Sequence, residues 1–175
     1  MRPILARSLF YPTFLWNYGL ARILHRRHWW DPVDEYVLLG ALPLKSDVPK
    51  LAKLGVRAVV NMCQEYPGPR KLYEKYQIEQ LWLPTVDFNP PSLESVQRGV
   101  AFLKQKTEEK SRVYVHCKAG RARSATVVLC WLVQCRGLSP EQAQQHLIAC
   151  RPHVNRRLLE REVIRKFLGL GPRNP

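Results

Sequence analysis

Residues 112–133, "RVYVHCKAGRARSATVVLCWLV", constrain the chain more than any other stretch. A β-branched apolar run ends at Cys117, six residues containing one glycine and three cations follow, and a second apolar run of helical length begins. A buried strand, a short loop and a helix N-terminus are the order that curls backbone N–H groups around an anion, with the helix dipole behind them. Gly120 permits the tight turn. The strand should be one of several. "YVLLGA" (36–41), "VRAVVNM" (56–62) and "IEQLWLPT" (78–85) also read as strands, each bounded by turn residues. Helical patterns separate them. "KSDVPKLAKLG" carries Ser46 as a possible cap with Gly55 past its end, and Ser92 can cap a helix whose inner face is Leu93, Val96, Val100 and Leu103. Beyond Cys117 the chain reads as three helices: "SATVVLCWLVQC", then "SPEQAQQHLIAC" opened by a Ser139–Gln142 capping box, then "RRLLEREVIRKFL". "EYPGPRK" (65–71) and "VDFNPPS" read as loops. The expected fold is α/β, one domain with a central, mostly parallel sheet flanked by helices.

Cys117 and Arg123 have C-x5-R spacing, but so do Cys130–Arg136 and Cys150–Arg156. With five Cys and 18 Arg in 175 residues, about 0.5 such pairs arise by chance, so spacing alone decides nothing. Context decides. Cys130–Arg136 lies within a helical run, and Cys150–Arg156 follows a helix; neither encloses a glycine. Only Cys117 ends a strand and precedes a cradle. There the helix N-terminus with Lys118, Arg121 and Arg123 can hold a thiolate at neutral pH. Arg123 can grip two phosphoryl oxygens. Attack by Cys117 would give a phosphocysteine, and the Ser124 hydroxyl can stabilise the thiolate when it leaves. Lys118, Ala119, Gly120, Arg121 and Ala122 form the substrate-binding loop. An alkoxide leaving group needs a proton, and Asp87, just after a strand expected beside that of Cys117, is the candidate acid. Glu65 follows another strand and is either a second acid or a solvated loop residue. This chemistry calls for no metal and no cofactor.

The balance of 28 Lys plus Arg against 14 Asp plus Glu draws the chain toward polyanions. No stacking motif accompanies it, so nucleic acid is not the expected partner. Five cysteines without a C-x2-C pair fit a reducing compartment. Residues 1–30 contain five arginines and no acid. Within them "LFYPTFLWNYGLARIL" is too broken for a membrane span. It can form an amphipathic helix with Trp16, Leu20, Ile23 and Leu24 on one side and Arg22, His25 and Arg26 on the other. The expectation is a basic targeting or membrane-surface segment over 1–30, followed by the catalytic domain over 31–170. A helix packed on the domain is the alternative.

"HCKAGRARSAT" resembles the H-C-x-x-G-x-x-R-S signature of cysteine-dependent dual-specificity phosphatases. "LFYPTFLW", "VLLGALPL", "TVDF" and "CKAGRARSATVV" resemble the mitochondrial phosphatidylglycerophosphate phosphatase branch over roughly residues 8–168. The resemblance implies hydrolysis of phosphatidylglycerophosphate to phosphatidylglycerol, a step feeding cardiolipin synthesis, on the matrix face of the inner membrane. It casts Cys117 as nucleophile, Arg123 as phosphate clamp and Asp87 as general acid, with an anionic phospholipid as partner. The chain departs from the branch in "CQEYPGP", where Gln64 and Pro67 replace expected acids. Lys118 and Arg121 also resemble the phosphoinositide 3-phosphatases, which carry lysines at the same two loop positions. A protein tyrosine or serine/threonine phosphatase, a phosphoinositide phosphatase and a non-catalytic phosphate-binding module remain as alternatives.

Overall fold

The computed structural model describes residues 12–16, 18–24 and 26–171. Five strands, β1 (Trp30–Pro32), β2 (Val37–Gly40), β3 (Val56–Cys63), β4 (Glu79–Thr85) and β5 (Arg112–His116), form one sheet in the order β1-β2-β5-β3-β4. Only β1 runs antiparallel to its neighbour; the other pairs are parallel. β5 therefore lies at the centre, between β2 and β3, and its last residue precedes Cys117.

Side chains alternate across the sheet, as a two-residue period requires. Val37, Leu39, Val60, Val113 and Val115 face the larger core. Leu38, Val56, Val59 and Tyr114 face the smaller one, which Val48, Leu51, Tyr73 and Ile78 complete. Burial on both faces explains why β3 and β5 are almost wholly apolar. The helices are α1 (Val48–Lys53), α2 (Arg70–Lys75), α3 (Leu93–Glu108), α4 (Arg123–Arg136), α5 (Pro140–Cys150) and α6 (Glu162–Phe167). Every residue of α4 from Arg123 to Leu132 is buried, so the helix that carries the cradle's end is fixed on all sides.

The expected caps hold at two helices. Ser92 Oγ accepts from Ser95 N at 3.1 Å, and Ser139 with Gln142 forms a reciprocal capping box. Ser46 caps nothing. Lys45–Asp47 is a 3₁₀ turn leading into α1, and Asp47 Oδ2 accepts the Leu44 N–H at 3.0 Å. The loop expected over 65–71 ends early, because Pro69 occupies the N-cap of α2 and its carbonyl accepts from Leu72 N and Tyr73 N. The last expected helix is broken at Arg161, whose backbone is extended (φ −73°, ψ 126°) between a 3₁₀ turn at Leu158–Glu160 and α6. The Gln144 side chain holds Leu158 N at 3.1 Å, so a tertiary bond takes precedence over helical continuity there.

The N-terminal segment departs from its sequence pattern at Arg22. Expected on the polar side, it points inward: its Nη2 lies 2.6 Å from both Asp47 oxygens and its guanidinium sits 4.7 Å from the Trp29 ring. Trp16 and Leu24, expected on the apolar side, are 71% and 58% exposed rather than packed on the domain. A buried acid without a cation is costly, so Asp47, which is fully buried, draws Arg22 in. Phe14, Tyr18 and Trp30 pack around Ala21, Trp29 and Ala41. Of the expected amphipathic pattern, His25 and the side chain of Ile23 lie outside the described residues, as do residues 1–11. Among the described residues no helix is long and apolar enough to cross a membrane.

Candidate active site

The loop from Cys117 to Ala122 is held by its carbonyls. Lys118 O accepts from Leu42 N at 3.2 Å, and Arg121 O from Asn155 N at 2.9 Å. Arg151, 1% exposed, donates through Nη2 to Ala119 O and through Nε to Gly120 O, both at 3.0 Å. With the carbonyls fixed to the surrounding protein, the loop's N–H groups are left to the concave side. Gly120 has φ +65°, and a Cβ there would lie 2.5 Å from the Gly40 carbonyl group. Both facts require glycine. Sequence reasoning missed Arg151. It is anchored by a buried ion pair with Asp31, at the other end of the chain, and it adjoins Cys150 in a segment set aside as a connection.

Cys117 is 3% exposed. Burial by itself would raise its pKa. The Arg123 charge, the Ser124 hydroxyl at 3.2 Å, and the N–H groups of Ser124 and Arg121 outweigh it and bring the thiol down from 9.0 to about 6. The other cysteines move the opposite way. Cys130 is pushed up to about 12 by burial alone, while Cys135 and Cys150 are raised chiefly by burial. Cys63, beneath the cradle on β3, is raised well above its ordinary value by burial. The site therefore holds one thiolate, and the two other C-x5-R pairs hold none. Cys130 is inside α4, and Arg136 is spent on Asp34 at 2.8 Å.

Arg123 leaves α4's first turn toward the cradle and is 2% exposed. Its Nη1 donates to Thr85 O at 2.7 Å and lies 3.1 Å from Glu65 Oε2; its Nη2 donates to Asp87 Oδ1 at 2.8 Å. Asp87 Oδ2 receives Lys118 Nζ, which also donates to Thr13 Oγ1 at 2.6 Å and lies 4.7 Å from the Phe88 ring. Thus the structure brings Cys117, Ser124, Arg123, Lys118 and Asp87 together on one cleft. Glu65 joins them: its Oε1 accepts the Asp87 N–H at 2.7 Å. Arg121 does not join them through its side chain, which donates to His153 O at 2.8 Å. His116, fully buried and stacked on Tyr114, is neutral; burial takes its pKa down to about 3.

A thiolate at the floor of an N–H cradle, a buried guanidinium beside it and a carboxylate across the cleft are the parts of a cysteine-dependent phosphatase. Residues 37–166 match the family "Dual specificity phosphatase, catalytic domain". The chain is 40% identical over 164 residues to phosphatidylglycerophosphate phosphatase PTPMT2 of Arabidopsis thaliana, covering 92% of this chain and 72% of that one. It is 40% identical over 172 residues to phosphatidylglycerophosphatase and protein-tyrosine phosphatase 1 of Mus musculus, covering 93% and 89%. The crystal structure of PTPMT1 in complex with PI(5)P superposes with a TM-score of 0.72 at 37% identity, over 80% of this chain and 94% of that one. The chain belongs to the dual specificity phosphatase family, whose fold and cysteine-dependent hydrolysis of phosphoric monoesters it shares.

Proposed function

We propose that the protein hydrolyses phosphatidylglycerophosphate to phosphatidylglycerol. The phosphomonoester enters the N–H cradle and takes Arg123 from its carboxylate partners. Cys117 Sγ attacks phosphorus, the P–O bond to the glycerol carbon chain breaks, and the departing alkoxide takes a proton from Asp87. Water then attacks the phosphocysteine and gives a proton back to Asp87. The S–P bond breaks, and the thiolate leaves into the Ser124 hydroxyl and the Arg123 charge. Lys118 brings a second cation to the cleft that suits a headgroup bearing more than one negative charge. The reading is supported most by the 40% identity to a phosphatidylglycerophosphate phosphatase across 92% of the chain.

The protein is placed by this reading in the mitochondrion, on the matrix face of the inner membrane, where its product feeds cardiolipin synthesis. Residues 1–30, rich in arginine and free of acids, serve as the targeting or membrane-surface segment, with Leu15, Trp16 and Leu24 exposed for contact with lipid. A second reading, a phosphoinositide monophosphate substrate, is favoured by the likeness to PTPMT1 in its complex with PI(5)P. Phosphate release is to be compared at matched concentration from vesicles of phosphatidylglycerophosphate, vesicles of phosphatidylinositol 5-phosphate, and a phosphotyrosine peptide. The proposal expects the first to be fastest; a faster peptide would reject a lipid substrate.

A further inference from the structure

Asp31 and His153, tied to the catalytic loop through Arg151 and Arg121, line a cavity of about 320 Å³ together with Arg26, Arg27, His28 and Pro152. Its one carboxylate is already matched. Asp31 pairs with the buried Arg151 and receives His28 Nδ1 at 2.9 Å. Arg26 and Arg27 have no carboxylate partner among the described residues, and Arg121 reaches the rim through its bond to His153 O at 2.8 Å. The wall also holds a buried polar atom, His153 Nε2, without a hydrogen-bond partner among the described residues. Buried polar groups are rarely left so. Burial first, then the charges of Arg151, Arg27 and Arg121, take the His153 pKa down to about 3. The imidazole is thus a neutral group facing three cations. An anion among them would meet the arginines and relieve the repulsion that holds the nearby imidazole neutral.

A comparison within the molecule sharpens this. A cavity of about 380 Å³ lined in part by Lys53, Arg57 and Lys75, with no carboxylate, is at least as basic. There Arg57 Nη1 is engaged by the carbonyls of Ala52 and Val56, and no orphaned polar side chain lines the wall among the described residues. Charge alone does not distinguish the two cavities; the unsatisfied imidazole and the free guanidinium groups do.

We propose that the cavity of Arg26, Arg27, His28 and His153 is a second anion site, separate from the Cys117 cradle, that takes a phosphate group carried by a lipid headgroup or free in solution. It does not depend on which phosphomonoester the cradle hydrolyses. Because Asp31 both lines the cavity and anchors Arg151, which holds the carbonyls of Ala119 and Gly120, the occupant sits one ion pair away from the catalytic loop.

The test follows the His153 ring nitrogens by NMR in the full chain, assigned with His153→Gln. They report on this cavity, while phosphate inhibition of aryl phosphate hydrolysis reports separately on the cradle. Inorganic phosphate is titrated in one arm, and mixed phosphatidylglycerol/phosphatidylcholine vesicles are titrated in the other. The His153 pKa is expected to rise in both arms and to stay fixed with phosphatidylcholine vesicles alone. A response to phosphate only assigns the site to soluble phosphates, and a response to mixed vesicles only assigns it to lipid headgroups. The double variant Arg26→Gln/Arg27→Gln should lose the response. It should also co-sediment with the mixed vesicles roughly 25-fold less well, at about fivefold per arginine near an anionic surface. The matched change Lys53→Gln/Arg57→Gln should keep the His153 response. A His153 signal unmoved by both phosphate and mixed vesicles, or lost equally in the two double variants, would overturn the proposal.

Discussion

Glu65 holds Asp87 from behind: its Oε1 accepts the Asp87 backbone N–H at 2.7 Å while its Oε2 lies 3.1 Å from Arg123 Nη1. One carboxylate thereby ties the loop after β3 to the loop after β4 and to Arg123. In the proposed mechanism Glu65 is a positioning residue, and Asp87 exchanges a proton with the leaving oxygen.

The two should separate in kinetics. Asp87→Asn should slow lipid hydrolysis by about 10²–10⁴, the usual worth of a general acid, and slow aryl phosphates with acidic phenols much less. Glu65→Gln keeps an acceptor for the Asp87 N–H but removes the charge beside Arg123. It should lower kcat/KM for both substrate types by a common factor. A leaving-group-dependent loss in Glu65→Gln, with none in Asp87→Asn, would exchange the roles.

The thiolate sets the acid limb of the rate profile. With the Cys117 pKa near 6, kcat/KM for an aryl phosphate with an acidic phenol, which leaves without a proton, should rise through pH 6 and level off above it. Folded Cys117 binds its proton less tightly than the unfolded thiol at 9.0. Its contribution to stability is therefore full above pH 9 and is lost as pH falls toward 6. Ser124→Ala removes the hydroxyl at 3.2 Å and should move the limb upward. The rate of iodoacetamide alkylation against pH reads this directly. An unmoved limb would remove Ser124 from thiolate stabilisation.

Arg151 carries the back of the cradle. Arg151→Met strands buried Asp31 and frees two loop carbonyls, a loss of about 3–5 kcal/mol for a broken buried pair. For a chain of this length that corresponds to a melting temperature lower by roughly 6–20 °C. Arg151→Lys should recover part of the ion pair but not both carbonyl bonds. Phosphate affinity should fall along with stability, because the N–H groups lose their fixed orientation.

Arg121 lies outside the catalytic cleft by its side chain, so its effect should depend on the substrate. Arg121→Met should cost lipid turnover about 1 kcal/mol, the worth of one cation near an anionic membrane surface, and less in high salt. A small soluble phosphate ester should barely change. Equal losses on both would make the residue a structural part of the loop.

Legibility from sequence followed the distance between partners. Cys117, Gly120, Arg123 and Ser124 are contiguous, and a strand, a turn and a helix fix their geometry, so the cradle could be read directly. Asp87 was reachable because strand ends on one edge of a parallel sheet share a crevice. Arg151 was not: its partners Ala119, Gly120 and Asp31 are brought to it only by the packing of α5 beneath the loop. The inward turn of Arg22 had the same cause, since nothing near residue 22 announces the buried carboxylate of Asp47. Strand β1 was too short for a two-residue period to register, and the break at Arg161 depends on the side chain of Gln144. What the sequence concealed was held in long-range polar pairs, and what it displayed was held in local chemistry.

In the proposed reaction Cys117 takes the phosphoryl group of phosphatidylglycerophosphate. Turnover of vesicles of that lipid is stopped within the first catalytic cycles by rapid denaturation at alkaline pH, where the S–P bond survives, and mapped by mass spectrometry. A phosphoryl adduct should be found on the peptide bearing Cys117 and on none bearing Cys63, Cys130, Cys135 or Cys150, and Cys117→Ser should give neither adduct nor phosphate. Phosphate released without an adduct at Cys117, or turnover that survives Cys117→Ser, would contradict the account.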